Sequence, residues 1–472
     1  MTEEHRDIPS PDANFQARQD RSLQVSGFRV RLKAEMPYIR QALKTMVGVQ
    51  SVSMDPARDA DVYRSAQMVA DLFRAEGFHD SKIVSAYEDG RAPAVIARIG
   101  APEGRPTVLL YAHHDVQPAS GIGWLSEPFE PVERDGRLFG RGAADNKAGI
   151  AAHLAAVRTL GTDLGVGVTV FVEGEEEAGS ASLPALLRQH TEALRADVIV
   201  IADSANWDIG TPALTTSMRG LIRADVSVRT LSHSVHAGVW GGLVPDALMT
   251  LVRLLATLYD EQGNVAIAGL RAGRAADVEY PSERLRAESG IVAGVSLIGD
   301  GSAVQRLWSK PSLTIIGMDA PEVQGAGSVL VPSARAKLSM RIAPGDTAAN
   351  ALDRLRAHLQ AHVPWNAELS ITNVEMCEPV SIEARGEVYE AARRALADAW
   401  GGTPPVDIGL GGSIPIATTF LQIFPDADVL ITGVEDPDTR AHGANESLHL
   451  AEFENYCLAE TLLLTYLSRL GS

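Results

Sequence analysis

The chain has 472 residues, with 60 Asp plus Glu against 42 Lys plus Arg and a formal net charge of −18. Such a surface repels a phosphate backbone and excludes nucleic acid as the main partner, while 45% apolar residues over this length suit two or three globular domains. No apolar run approaches the ~20 residues of a membrane span, and the two cysteines, Cys377 and Cys457, form no C-x-x-C, so any metal must be held by His, Asp and Glu.

Residues 1–25 lack periodicity and contain Pro9 and Pro11, which predicts a loose arm. The start is polar and charged, without an apolar segment of the kind a secretory signal needs, and a cytoplasmic location is expected. The spacing of Val30, Leu32, Met36, Ile39, Leu43 and Met46 predicts a helix over 28–46, and Val62, Met68, Leu72 and Phe73 predict another over 60–76. Strands follow over 95–99 and 107–112, then a helix over 150–160 that Gly161 ends, a strand over 166–172, a helix over 183–194 and a strand over 197–202. This alternation predicts an α/β layer with a mainly parallel sheet and flanking helices, whose functional groups collect at the strand ends.

From about Thr215 the texture changes to strands over 221–228, 313–316, 334–342 and 368–374, with helices over 246–259 and 352–362 and a polar stretch over 271–290. The α/β pattern resumes after Pro379 with a helix over 387–400, strands near Val406 and over 429–432, and a last helix over 451–470. The expected organisation is an arm (1–25), a catalytic α/β domain in two pieces (26–214 and 379–472) and an inserted α+β domain (215–378).

Chemistry-bearing residues gather at the strand ends. The strand over 107–112 runs into His113 and Asp115, two residues apart and so on one side of an extended chain. There Asp115 is placed to hold the second ring nitrogen of a metal-bound His113; alone, His113 and His114 would read as surface-loop residues. Gly140-Arg-Gly-Ala-Ala-Asp145 is a Gly-rich turn whose Asp145 is either a helix cap or a carboxylate presented to metal. The strand over 166–172 runs into Glu173-Gly-Glu-Glu176-Glu177, where neighbouring carboxylates on an extended segment would point apart, one toward metal and one toward an attacking water. A further strand ends in Asp203, and His442 stands in a turn before the last helix.

At these residues the chain resembles the dinuclear zinc peptidase family of carnosine dipeptidase, carboxypeptidase G, aminoacylase and succinyl-diaminopimelate desuccinylase, and looks closest to its dipeptidase branch. Tyr-Ala-His113-His-Asp115-Val-Gln-Pro, Gly-Arg-Gly-Ala-Ala-Asp145-Asn-Lys-Ala-Gly, Glu-Gly-Glu-Glu176-Glu177-Ala-Gly-Ser, Asp203, Gly411-Gly-Ser-Ile-Pro415 and Arg-Ala-His442 occur in family order. The resemblance implies two divalent ions, zinc first with manganese or cobalt as alternatives. It implies that Asp145 bridges them, with His113 and Asp203 on one and Glu177 and His442 on the other. It makes Glu176 the general base and Asp115 the residue that orients His113. In the inserted domain it implies that His236 stabilises the oxyanion across a dimer interface, that Arg341 grips the substrate carboxylate, and that Gly412 and Ser413 meet it through backbone N–H groups. The second domain would then be a lid and homodimerisation domain.

Two departures qualify the likeness. Gly409 and Leu410 stand where carnosine-type dipeptidases tend to carry an Arg-Glu pair, and Asn146 follows the bridging Asp where many relatives have a second Asp, a change expected to be tolerated. The expected function is a metal-dependent dipeptidase acting on short peptides with a free C-terminal carboxylate. The alternatives are an N-acyl amino acid amidohydrolase of the same chemistry and a non-catalytic binding protein of the same fold.

Overall fold

A computed structural model describes residues 11–119, 123–412 and 415–470. The chain divides into two compact units, one of residues 1–214, 384–406 and 419–472, the other of 215–383 and 407–418. Among the described residues no helix is long and apolar enough to cross a membrane.

The first unit opens with a helix much longer than expected. Pro11–Val47 is continuous, so the loose arm gives way to helix from Pro11 onward. Proline is accepted at the first helical position, where its missing N–H would have had no partner. The buried stripe is Phe28, Leu32, Met36, Ile39, Leu43 and Met46 at steps of three and four, whereas Val30 faces solvent. Six strands of this unit lie in the spatial order Lys82–Val84, Ala94–Ile99, Gly167–Glu173, Thr107–His113, Val198–Ile201 and Asp428–Ile431. The first two pairings are antiparallel and the remaining three parallel. The central strands are buried almost end to end, the pattern of a sheet covered on both faces. Helix Lys147–Leu160 packs on the Thr107–His113 strand, and Pro11–Val47 and Leu450–Leu467 pack against that helix.

Register places the functional strand ends level. His113 pairs with Glu173 and Tyr111 with Ile201, while Ile431 also pairs with Ile201. Behind them, Lys147 is fully buried and its Nζ donates to Met46 O and Val49 O, both at 2.8 Å. Burial lowers its pKa to about 7, so these two carbonyls hold the amine as a hydrogen-bond donor that closes the end of the long helix.

The second unit contains a four-stranded antiparallel sheet in the order Ser312–Asp319, Ser333–Ile342, Gly220–Arg229 and Glu368–Cys377. Ser333–Ile342 alternates exposed and buried residues along its length, as a sheet with one covered face requires. Helices Ala247–Ala256 and Ala348–His362 pack on the sheet, and Leu251, Leu254, Leu355 and Leu359 join Val226, Leu338 and Met340 in its core. The polar stretch over 271–290 contains an unexpected helix, Ser282–Ser289, with no buried residue. Residues 407–418, expected to return with the α/β layer, fall in the second unit.

Past the ends of the parallel pair Val198–Ile201 and Asp428–Ile431, the backbones stay in contact. A Cβ built on Gly433 would overlap the backbone of Ser204, the residue next to Asp203. Gly433→Ala is therefore expected to cost about 1–3 kcal/mol or more through overpacking, read as a fall in the denaturant midpoint. An unchanged midpoint would show that the two strand ends are not locked together.

Candidate metal centre

Three neighbouring strands deliver the site. His113 is the last residue of its strand, Glu173 ends the next and Asp203 lies two residues beyond the third. Asp145 sits in the turn ahead of helix Lys147–Leu160, and His442 in the turn ahead of Leu450–Leu467. Ligand atoms of His113, Asp145 and Asp203 lie within 4.8 Å of one another, as do those of Asp145, Glu177 and His442. Asp145 belongs to both triads. Its Oδ1 is 3.1 Å from His113 Nε2 and its Oδ2 is 3.0 Å from His442 Nε2. Asp203 Oδ1 lies 3.6 Å from His113 Nε2, and Glu177 Oε2 lies 3.2 Å from His442 Nε2. The N-cap position of helix Lys147–Leu160 is Asn146, which makes no side-chain cap bond, so Asp145 stands one residue ahead of the cap.

Asp115 does more than orient an imidazole. Its carbonyl oxygen is 3.1 Å from His113 Nδ1, and its carboxylate accepts from Ser53 Oγ at 2.6 Å and from the backbone N–H groups of Glu176 and Glu177 at 3.2 and 3.1 Å. One buried residue thus holds the ring of His113 through its carbonyl oxygen, with its Oδ1 3.4 Å from the same nitrogen, and the turn that presents Glu176 through its carboxylate. That turn is a short 3-10 helix, Glu176–Ala178, so the expected extended segment with its alternating directions is absent. Wound backbone lets both N–H groups converge on Asp115. Gln117 completes the turn by donating to Glu177, from N at 3.1 Å and from Nε2 at 2.7 Å.

Asn146, expected to be a bystander, ties two strand ends together. Its Nδ2 donates to Ala202 O at 2.6 Å and to Asp203 Oδ1 at 3.0 Å, and its Oδ1 accepts from His113 N at 3.3 Å. Glu446 was passed over in the sequence although it closes the His442 segment. It is fully buried, pairs with Arg141 Nη1 at 2.6 Å and accepts from the N–H groups of Gly142, Ala144 and Asp145 at 3.0–3.1 Å. The Gly-rich turn is therefore built around a carboxylate from the far end of the chain. Glu435, also missed, lies on a parallel bridge with Ala205 just past Asp203.

The electrostatics show a surplus of negative charge. Burial raises the Glu176 carboxyl well above the usual range, and Asp203, Asp115 and Glu177 push it further. Burial with Asp145, Asp203 and Glu446 does the same to Glu435. Burial opposes protonation of His113, but hydrogen bonds to Asp115, Asp145 and Asp203 outweigh it and raise that imidazole well above its ordinary value. His442 is pushed up to about 10 by hydrogen bonds to Asp145 and Glu177. The carboxylates thus favour cations between them. Oxygen and imidazole donors converging on two points suit divalent ions such as zinc, manganese or cobalt.

The remaining expected residues lie in the second unit. His236 is exposed, and its Nδ1 accepts from Gly238 N at 3.0 Å. His233, three residues earlier, contacts Ser232 Oγ through Nδ1 at 2.9 Å. Arg341 is half-buried on Ser333–Ile342, and Gly412 is exposed after the Val406–Leu410 strand. Ser413 lies outside the described residues.

Residues 109–465 match the family model described as peptidase family M20/M25/M40. The chain belongs to this family. A cysteinylglycine-S-conjugate dipeptidase of Corynebacterium striatum is 37% identical over 371 residues, covering 76% of this chain and 81% of that relative. A Cys-Gly metallodipeptidase of Schizosaccharomyces pombe is 30% identical over 91% of this chain and 95% of its own length. The crystal structure of human carnosine dipeptidase 1 superposes with a TM-score of 0.77 at 26% identity, over 94% of this chain and 99% of that one. The peptidase is thus a hydrolase that uses divalent metal, on an α/β fold with a mainly parallel sheet.

In this peptidase the Arg141–Glu446 pair tests whether the Asp145 turn depends on a remote carboxylate. Glu446→Gln sets an amide donor against N–H groups or Arg141 whichever way it turns. It is expected to cost about 3–5 kcal/mol, the range for breaking a buried pair, and to weaken metal retention in parallel. Wild-type unfolding and metal content in this variant would contradict that role.

Proposed function

We propose that this peptidase is a dipeptidase that hydrolyses the amide bond of short peptides carrying a free C-terminal carboxylate, with two divalent ions, zinc first, shared through Asp145. The observation that carries the reading is a pair of donor triads with Asp145 in common, beside a carboxylate, Glu176, that belongs to neither. His113 and Asp203 would hold one ion and Glu177 and His442 the other. Bound there, the ions would supply Lewis acidity, polarising the scissile carbonyl and lowering the pKa of the attacking water.

The protein's own groups then move the proton. Glu176 accepts it from the water onto a carboxylate oxygen and returns it to the nitrogen of the departing amine. Burial and neighbouring acids favour the protonated form of Glu176, which suits it to the second half of this transfer. Asp115 keeps the turn in place while the charge on Glu176 changes, because its bonds reach the backbone rather than the reacting carboxylate. In the second unit, acting as lid and dimerisation domain, His236 would stabilise the oxyanion from a partner subunit, and Arg341 with Gly412 and Ser413 would receive the substrate carboxylate. Homodimerisation is supported by exposed Val239, Trp240 and Leu243, an apolar group next to His236 in sequence.

Among substrates, cysteinylglycine-type dipeptides are favoured over carnosine. The Corynebacterium relative supports the first choice, and Gly409 and Leu410 in place of an Arg-Glu pair count against the second. The N-acyl amino acid amidohydrolase is the second reading, since metals and base would be shared. A non-catalytic binding protein would have no need of Glu176 together with both triads.

Glu176→Gln is expected to lower kcat by about 10²–10⁴-fold, the range for losing a general base, with metal content unchanged. Equal turnover in variant and wild type would remove Glu176 from the mechanism. A parallel panel of Xaa-Gly dipeptides and N-acetyl amino acids is expected to show dipeptide hydrolysis, whereas exclusive N-acyl cleavage would establish the second reading.

A further inference from the structure

Arg219 lies between the strands Ala213–Met218 and Gly220–Arg229 of the second unit and is only 9% exposed. Its backbone N donates to Leu410 O at 3.1 Å, its Nε to Gly411 O at 3.2 Å and its Nη1 to Ser312 Oγ at 2.9 Å. Ser312 is the direct cross-strand partner of Arg341. One guanidinium therefore fastens the Leu410–Gly411 segment to the strand that runs beside Arg341.

Nη2 makes no hydrogen bond among the described residues, and a Cβ on Gly411 would come within 2.9 Å of it. A side chain at 411 would displace the end of the guanidinium from this position. No carboxylate among the described residues forms an ion pair with Arg219 or Arg341, although Arg223 nearby has Glu375 at 3.4 Å. Burial lowers the Arg219 pKa to about 10 and the charge of Arg341 adds to the effect; burial also lowers that of Arg341, with the charge of Arg223 adding to it and Cys377 acting the other way. Two partly buried like charges are unfavourable unless something neutralises them. Arg219 Nη1 also donates to Arg306 O at 3.5 Å, and Arg306, Leu307 and Ser312 line a cavity of about 820 Å³ in this unit.

We propose that Arg219 is a carboxylate-positioning residue: it fixes the Gly411–Gly412 segment and the Arg341 strand as one wall, and with Arg341 forms a doubly cationic pocket for the substrate's terminal carboxylate. This rests on the dipeptidase reading. A guanidinium is suited to the task because its N–H groups point in fixed directions from one plane and can meet a carbonyl, a hydroxyl and an incoming carboxylate at separate nitrogens, whereas a lysine ammonium is a single point donor.

The test compares glycylglycine with glycylglycinamide on the metal-loaded enzyme, measuring both turnover and calorimetric binding. Arg219→Lys keeps the charge but loses the fork, and Gly411→Ala crowds Nη2 from the other side; melting temperatures verify that both fold. Each is expected to raise KM for glycylglycine about tenfold or more, the loss of a charge-assisted contact, with kcat little changed and the amide unaffected. Equal losses on acid and amide, or none on either, would overturn the pocket and leave Arg219 a purely structural residue. Wild-type protein that binds glycylglycine in an Arg219-dependent manner yet hydrolyses no dipeptide would support the pocket and overturn the dipeptidase reading instead.

Discussion

Burying many carboxylates at one sheet edge is the constraint that organises the first unit. Asp115, Asp145, Glu176, Glu177, Asp203, Glu435 and Glu446 all come from that unit, at or near the ends of adjacent strands. A group of this sign in a low-dielectric setting destabilises itself unless cations or hydrogen-bond donors are supplied. The structure supplies both. Two imidazoles lie against Asp145, one on each oxygen, while backbone N–H groups and Arg141 are turned toward Asp115 and Glu446. Divalent ions at the two points where oxygen and nitrogen donors converge would balance what remains.

The carboxylates fall into two groups by what they touch. Asp145, Asp203 and Glu177 present oxygens to imidazoles, and Glu176 is held beside them. Asp115, whose Oδ1 is also 3.4 Å from His113 Nδ1, and Glu446 accept from backbone N–H groups, so each defines a loop: Asp115 the Glu176–Glu177 turn and Glu446 the Gly142–Asp145 turn. Asn146 spans the difference, with one amide group bonded to His113, Ala202 and Asp203. Positioning by short bonds to backbone suits catalysis, since a displacement of about 1 Å in a reacting group can cost two orders of magnitude in rate.

The sheet and the strand-end residues were legible in the sequence because buried parallel strands read as continuous apolar runs, and each run stops at a His, Glu or Asp. Register then levels His113 with Glu173, something no single run reveals. The long first helix was half visible: Leu32 to Met46 repeat at helical spacing, but the polar residues after Pro11 carry no such signal. Glu446 was invisible in its role because its partner Arg141 is 305 residues away. The same holds for Arg219, whose bonds reach Ser312 and Gly411. The Glu176 turn was misjudged as extended because local sequence does not show that Asp115 gathers its N–H groups. The sharing of Asp145 by two sets of ligands came from resemblance, since a Gly-rich turn ahead of a helix is equally compatible with a cap.

The account turns on Asp145 serving two ions at once, and metal stoichiometry tests this most directly. Elemental analysis of purified protein, with anomalous scattering to locate each ion, should find two divalent ions per chain in the wild type, about one after Asp203→Asn and none firmly held after Asp145→Asn. A wild type with a single ion, or an Asp145→Asn variant that still holds one at full occupancy, would contradict the shared centre.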